Sequence, residues 1–314
     1  MFGEDNIVMK KEYMGLIVKN DDGSEIINYD DPTFPSYIYY GWVAPKVTWA
    51  HVPHFHEDIE ILTVTEGTMA YSVNGKTLVL NEGDTIVVNS NQIHYSMCVD
   101  DTVARYVIFV VHPRILASTV KVEMEAVKPI IDNPDISYIR YRNINEGTER
   151  LYDLMMELPD IRHDAFKVTR QFMLIWEIIM DTCESFCSIN EEQAADSGRK
   201  PFKQMMNFIA NNYKEKITLD QVASSANISK SHCINMFKRY VDESPMNYLA
   251  HFRARKCAEY LRSTDMNMEE ISSVTGFGGA SYMAETFRKF FGKSPREYRN
   301  EWKNPPEVQP DLSE

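Results

Sequence analysis

The feature that most constrains this 314-residue chain is a repeat in its last third. Phe237 to Tyr248 reads F-K-R-Y-V-D-E-S-P-M-N-Y, and Phe287 to Tyr298 reads F-R-K-F-F-G-K-S-P-R-E-Y. A pattern that returns at a fixed spacing means one supersecondary unit used twice. Upstream of each copy lies the apolar spacing of a short helix, Leu219, Val222 and Ala223 in the first and Met268, Ile271 and Ser272 in the second. The i, i+3, i+4 interval gives each helix one apolar face. Asn227-Ile228 and Gly276-Phe277 read as turns. Ser229 is placed to cap the next helix, its oxygen accepting an orphan backbone N–H. Cys233, Met236, Phe237 and Tyr240 line the inner side of that helix, and Met283, Phe287 and Phe290 do so in the second unit. Ser244-Pro245 and Ser294-Pro295 are helix starts, a cap followed by proline at the first helical position. The first opens a helix expected over Pro245 to Leu261, which carries Arg253, Arg255 and Lys256 and joins the two units. Two helix–turn–helix units in tandem suit two successive major-groove faces of double-stranded DNA.

The chain is acidic overall, net −13, which taken alone argues against a nucleic-acid partner. The distribution reverses that argument. Arg199 to Lys303 holds 18 Lys+Arg and 11 Asp+Glu, net +7, and leaves −20 on the remainder. Such asymmetry fits a basic DNA-binding module joined to an acidic sensor. The five cysteines are odd in number and show no C-x-x-C spacing, as expected of reduced thiols in a cytoplasmic protein. Cys183 and Cys187, one helical turn apart, read as packing. No signal-type segment opens the chain and no apolar run reaches transmembrane length, so no membrane partner is expected.

From about Leu16 to Val111, short β-rich runs alternate with turn residues: Ile61–Thr65, Met69–Val73, Thr77–Leu80, Thr85–Val88 and Arg105–Val111. Asn74-Gly75, where both positions tolerate positive φ, reads as a hairpin turn. Many short strands at regular spacing specify a sandwich or barrel. Within this run stand His54-x-His56-x-x-x-Glu60-x6-Gly67 and, further on, Gly83-x5-Asn89-x-Asn91-x-x-His94. Residues two apart on a strand share a face, so His54, His56 and Glu60 are expected to point inward together. Three readings stand open. The three histidines and the glutamate hold a divalent metal such as Zn, Fe, Mn or Ni. Alternatively they hydrogen-bond an effector in a metal-free pocket, or they satisfy one another inside the fold. Effector pockets are apolar with a few aimed polar groups. Tyr39, Trp42, Trp49, Tyr71 and Arg105 are the further candidates to line one, the aromatic faces suiting a sugar and Arg105 a carboxylate or phosphate.

The second unit, G-F-G-G-A-S-Y-M-A-E-T-F-R-K-F-F-G-K-S-P-R-E-Y-R from Gly276 to Arg299, resembles the signature of the AraC/XylS family of bacterial transcription regulators. The two histidine-bearing stretches are similar to the two motifs of cupins, with Asn89 and Asn91 where that pattern usually has Pro and Gly. An α+β multidomain chain is expected. A cupin-like jelly-roll barrel that senses an effector occupies 1–113, and a helical connector occupies 114–198. A tandem helix–turn–helix domain spans 199–303, and a disordered tail spans 304–314. The resemblance implies base readout by Ser231, His232, Ile234 and Asn235 on the first recognition helix, and by Ala280, Ser281, Ala284 and Glu285 on the second. Lys238 and Arg288 are then the basic residues beside the phosphates. Gly278, Gly279, Ala280 and Glu285 depart from the polar or basic residues common in the family. Glutamate repels phosphate as well as accepting from cytosine. The first unit is therefore expected to carry more of the specificity, and the second to act through the backbone with Arg288, Lys289 and Lys293. The implied function is a ligand-responsive transcription regulator. It is an activator rather than an enzyme, with a sugar as effector, no required cofactor, RNA polymerase as partner and a homodimeric state. Two alternatives remain: a metal-dependent cupin enzyme or metal sensor joined to a DNA module, and a regulator whose barrel serves only dimerisation.

After Pro113 the pattern turns helical. Glu146 to Leu158 has helical spacing through Leu151, Leu154, Met155 and Leu158, and is expected to stop at Pro159. A longer helix is expected from Asp164 to Cys187, with Phe166, Phe172, Met173, Ile175, Trp176, Ile179 and Met180 as its apolar positions. So much apolar surface packs on the barrel, on a partner subunit, or on both; the family resemblance adds dimerisation here. Asn190 to Lys200 is polar and reads as a flexible linker, and the proline-bearing tail from Asn304 as disordered.

Overall fold

The computed structural model describes residues 24–45, 52–100, 102–142, 146–186 and 198–303. Their contacts form two units, one of 24–200 with 239–241 and one of 201–238 with 242–303. The expected tail, most of the expected linker, Trp49 and Cys187 lie outside the described residues.

Among the described residues, the first unit is built on eight strands: β1 (Ser36–Val43), β2 (Ile59–Glu66), β3 (Thr68–Val73), β4 (Lys76–Asn81), β5 (Thr85–Val88), β6 (His94–Cys98), β7 (Ala104–Val111) and β8 (Tyr138–Tyr141). One sheet has the order β1-β7-β2-β5-β8 and the other β4-β3-β6. Asn74 and Gly75 take φ of 50° and 82° in the β3–β4 turn, as the hairpin reading requires. Val43, Leu62, Val64, Met69, Tyr71, Val73, Ile86, Val88 and Tyr106, drawn from both sheets, form one core between them. Alternation sends Ile38, Ile59, Ile61, Val87, Val107 and Phe109 to the opposite face of the larger sheet, where helices cover them. With both faces buried, β5 and β7 read as nearly unbroken apolar runs.

The covering helices come from the segment expected to be a separate connector. Short helical turns α1 (Val120–Val122) and α2 (Lys128–Ile131) precede β8, which pairs with β5. Helices α3 (Glu146–Ile161) and α4 (Ala165–Phe186) then lay Leu151, Met155, Phe172, Ile175, Trp176 and Ile179 on the sheet. A sheet with one face still apolar must bury it, and this segment does so. It belongs to the barrel's unit. Two local expectations are corrected here. Helix α3 continues through Pro159, because a proline in the last turn removes only one ladder bond. Phe166 is 81% exposed and Met173 is also exposed, since the side of α4 that bears them faces away from the sheet.

The second unit contains α5 (Arg199–Asn212), α6 (Leu219–Ser225), α7 (Lys230–Val241), α8 (Pro245–Ser263), α9 (Met268–Val274), α10 (Ala280–Phe291) and α11 (Pro295–Lys303). The sequence repeat is a geometric repeat. Thr218 and Asn267 each start a helix with a reciprocal capping box. Asn227 and Gly276 take φ of 54° and 76° in the two turns. The next residues, Ile228 and Phe277, donate to Ala223 O at 3.1 Å and to Ser272 O at 3.0 Å. Phe237 meets Tyr248 at 5.4 Å between ring centroids, and Phe287 meets Tyr298 at 5.4 Å. Phe290 departs from its expected burial. It is half-exposed and stacks on His251 at 4.3 Å, while Phe291 fills the core. The end of α5 is tied to α8 by Arg253, whose Nε donates to Tyr213 O at 2.8 Å and whose Nη2 donates to Glu215 O at 2.6 Å. No helix among the described residues is long and apolar enough to cross a membrane.

Candidate metal centre and nucleic-acid interface

His54 and His56 do not lie on a strand. They sit in the loop before β2, and a pair of backbone bonds between His54 and His94, of 2.9 and 3.1 Å, brings the two motifs together. Each imidazole is oriented in the same way. The Nδ1 of His54 faces Val52 O at 2.7 Å, that of His56 faces Asp58 O at 3.1 Å, and that of His94 faces Gln92 O at 2.9 Å. A carbonyl only accepts, so in the neutral rings Nδ1 carries the proton and Nε2 keeps a lone pair. The Nε2 atoms of His56 and His94 lie 3.5 and 3.3 Å from Glu60 Oε2. One ligand atom from each of His54, His56, Glu60 and His94 falls within 4.8 Å of all the others. The second carboxylate oxygen of Glu60 accepts from the Tyr71 hydroxyl. Buried His56 Nε2 has no hydrogen-bond partner among the described residues.

Lone pairs gathered around a carboxylate repel unless a cation lies among them. A proton relieves one contact, whereas a metal ion relieves all of them. Rings fixed through Nδ1 by backbone carbonyls match the support that metal-bound histidines have. Three imidazole nitrogens and one carboxylate oxygen suit Zn, Fe, Mn or Ni, so the donor set fits a divalent cation.

Burial would raise the Glu60 pKa, but His94 and His56 outweigh it and hold the carboxyl well below its ordinary range. Burial, reinforced by His94, pushes His54 well below its ordinary 6.5. In metal-free protein the unfolded chain therefore takes a proton at His54 before the folded chain does. The contribution of His54 to stability is complete above pH 6.5 and is lost as the pH falls below it. Glu60 acts in the same direction below its own ordinary value. The melting temperature of chelator-treated protein is expected to drop from about pH 7.5 to about pH 5.5, and His54→Asn to flatten that slope. An equal slope in both proteins contradicts the assignment.

The strand pleat sorts the remaining effector candidates. Tyr39 pairs with Ile108 on the barrel-facing side and lies exposed near the edge, stacked on Tyr37 at 6.0 Å. Trp42 and Arg105 are cross-strand partners on the other face of the sheet. Arg105 is 63% exposed and pairs with Glu66 at 3.0 Å. Neither Trp42 nor Arg105 is brought to the histidine cluster, because each alternates with an inward residue, Val43 and Tyr106. Tyr106 was missed. It is 9% exposed, and burial with Glu60 nearby raises its pKa, so its hydroxyl stays a neutral donor. Gly41 lies opposite, where any Cβ would overlap the Tyr106 ring. Glu25 was also missed; its Oε2 stands 3.5 Å from His54 Nε2. The departures in the second motif have structural roles. Asn91 adopts φ of 63°, which asparagine tolerates, and Asn89 donates to Ile130 O at 2.9 Å and to Ile136 O at 2.8 Å.

In the second unit, α7 exposes Ser231, His232, Ile234 and Asn235, with Ser229 accepting from His232 N at 3.2 Å as its cap. Lys238 is exposed and pairs with Asp242. Helix α10 exposes Ser281, Glu285 and Arg288, with Ala280 and Ala284 half-buried, and it opens at Gly279 without a side-chain cap. Lys289 donates to Asn247 Oδ1 at 3.0 Å and Lys293 pairs with Glu301, so two of the three expected backbone-facing cations already have protein partners.

Comparison with known proteins matches the Helix-turn-helix domain family to residues 222–301 and the Cupin domain family to residues 43–111. The chain is 24% identical over 253 residues to the uncharacterized HTH-type transcriptional regulator YdeC of Bacillus subtilis, covering 78% of this chain and 85% of that one. It is 22% identical over 253 residues to the Melibiose operon regulatory protein of Escherichia coli, covering 78% and 82%. To the Lactose operon transcription activator of Staphylococcus xylosus it is 29% identical over 126 residues, covering 40% of this chain and 45% of that one.

Proposed function

Because this chain belongs to the AraC/XylS family of DNA-binding transcription regulators and carries a cupin domain, we propose that its barrel is a sensor centred on His54, His56, Glu60 and His94. The centre holds a divalent cation, and a small-molecule effector binds beside it. The observation that carries this reading is the common fixing of three imidazoles through Nδ1, with Nε2 of His56 and His94 beside Glu60 and the four donors within 4.8 Å of one another. A bound cation supplies a Lewis-acid point for effector oxygens. Glu60 and the histidines hold that point, Tyr71 orients the carboxylate, and Tyr39 and Tyr106 offer hydroxyls on the same face. Such a lining suits a polyhydroxylated molecule. Two relatives are named for melibiose and lactose operons, which supports a sugar. Elemental analysis of protein purified without chelator, followed by thermal-shift screening of sugars on the loaded protein, tests both parts. Turnover of a small substrate at the loaded centre would favour the enzyme reading instead.

On the DNA side, α7 reads bases and α10 engages the backbone, where its uncapped first turn leaves N–H groups for a phosphate. Effector binding shifts the arrangement of the modules on DNA, as a homodimer that activates with RNA polymerase. That coupling requires tighter effector binding to one arrangement than to the other. Equal DNA affinity and promoter output with and without effector would refute it. Asn235→Ala is expected to lose about 1–3 kcal/mol at one base position. Arg288→Ala is expected to weaken all sequences evenly and to lower the salt slope by about one. Lys238→Ala acts in the same even way but less, since Asp242 already offsets that charge. Binding measured on an operator and its single-base variants, over a salt series, separates the two classes; an even loss for Asn235→Ala would remove it from base readout.

A further inference from the structure

Glu25 lies before the first barrel strand and outside both histidine-bearing motifs. Its Oε2 stands 3.5 Å from His54 Nε2. That is the nitrogen which His54 turns toward the centre, because its Nδ1 is engaged by Val52 O at 2.7 Å. A carboxylate that only orients a metal-bound histidine takes the ring nitrogen remote from the metal. Glu25 faces the other nitrogen, from outside the group of four donors that lie within 4.8 Å of one another, so ligation needs its carboxylate to close in on the ion. Its position is held by the loop that carries the ligands. Glu25 N donates to Phe55 O at 2.8 Å, between the two motif histidines, and the Tyr29 hydroxyl donates to Asp58 Oδ1 at 2.8 Å. Further on, Asp30 Oδ2 accepts from Ile38 N at 2.9 Å and ties the same segment to β1.

We propose that Glu25 is an additional carboxylate ligand of the divalent cation held by His54, His56, Glu60 and His94. The set becomes three imidazoles and two carboxylates. The inference rests on the metal reading of the centre given above. Two carboxylates balance the charge of a divalent cation inside the fold, where an uncompensated ion is costly. A fifth protein donor, and a second oxygen, also favour an ion of higher coordination number such as Mn2+ over tetrahedral Zn2+.

The test uses the full chain, stripped of metal and titrated with Mn2+ and separately with Zn2+, read by calorimetry and, for Mn2+, by electron paramagnetic resonance. Wild type is expected to bind one Mn2+ per chain. Glu25→Gln keeps the side chain's shape and is expected to bind Mn2+ at least about 10-fold more weakly with an altered Mn2+ spectrum, by analogy with the loss when a group supporting a metal ligand is removed. Zn2+ affinity should fall less. Glu66→Gln, on the outer exposed pair with Arg105, should leave both unchanged. Should Glu25→Gln match wild type in affinity and spectrum, Glu25 is not a ligand although the metal centre stands. A wild-type chain that binds neither ion overturns the centre and Glu25 together.

Discussion

Glu60→Gln and His94→Ala should each leave the protein without its divalent metal, lowering affinity by more than about 100-fold, beyond the range for losing a group that merely supports a ligand. The argument is geometric. Glu60 Oε2 is the atom shared by His56 Nε2 and His94 Nε2, at 3.5 and 3.3 Å, so it lies where the donors meet. Glutamine keeps the shape and can still accept from Tyr71, but it removes the only charge among the four donors and presents a poorer ligand. His94→Ala removes a donor and also its Nδ1 anchor on Gln92, while the backbone bonds to His54 remain. Protein purified without chelator or a His-tag is expected to carry about one metal ion per chain, and both variants none. DNA binding in the absence of effector should survive in both, since the helix–turn–helix domain folds around its own core. Equal metal content in wild type and variants, including none in all three, would end the metal reading and leave the cluster as effector contacts or internal support.

Gly276→Val should cost the DNA-binding unit about 3 kcal/mol or more, the sum of a strained backbone and a steric clash. Gly276 has φ of 76°, and a Cβ there would meet Tyr213 O and stand 2.7 Å from Lys214 O. Those carbonyls belong to the turn that follows α5, where Arg253 also donates to Tyr213 O. The turn of the second helix–turn–helix therefore lies against the start of the first, and a β-branched residue must move one of them. Gly276→Asn separates the causes, because asparagine tolerates the φ but keeps the clash. Asn227→Gly, at the matching turn of the first unit, should be within a few tenths of a kcal/mol of wild type, as both residues accept positive φ. Urea unfolding and operator binding together provide the check. A Gly276→Val protein with wild-type stability would show that the close approach to α5 is not maintained in solution.

The parts of the fold that were legible depend on neighbours in the chain. Ser229 and Ser244 cap the helices they precede, Asn74-Gly75 turns its hairpin, and the helix from Pro245 runs to Ser263, two residues past its expected end. The four-residue cluster was legible as two spaced motifs, although the reason given for two of its members was wrong. His54 and His56 converge through a loop pinned to His94, not through strand alternation. Trp42 and Arg105 were misplaced because alternation states which residues share a face but not which face is inside. Tyr106 was one residue from the candidate chosen.

The sequence by itself determined that two helix–turn–helix units follow a strand-rich domain, and that three histidines and a glutamate stand at cupin spacing. Caps, turns and apolar periods act within a few residues, so they are written locally. Only the tertiary structure decided that the middle segment supplies β8 and the helices covering the larger sheet. It alone decided that Phe166 stays exposed, that Tyr71 and Tyr106 accompany Glu60, and that Glu25 reaches His54. Each of those outcomes joins residues far apart in the chain, and the burial that selects among such contacts depends on the whole packed unit rather than on any local pattern.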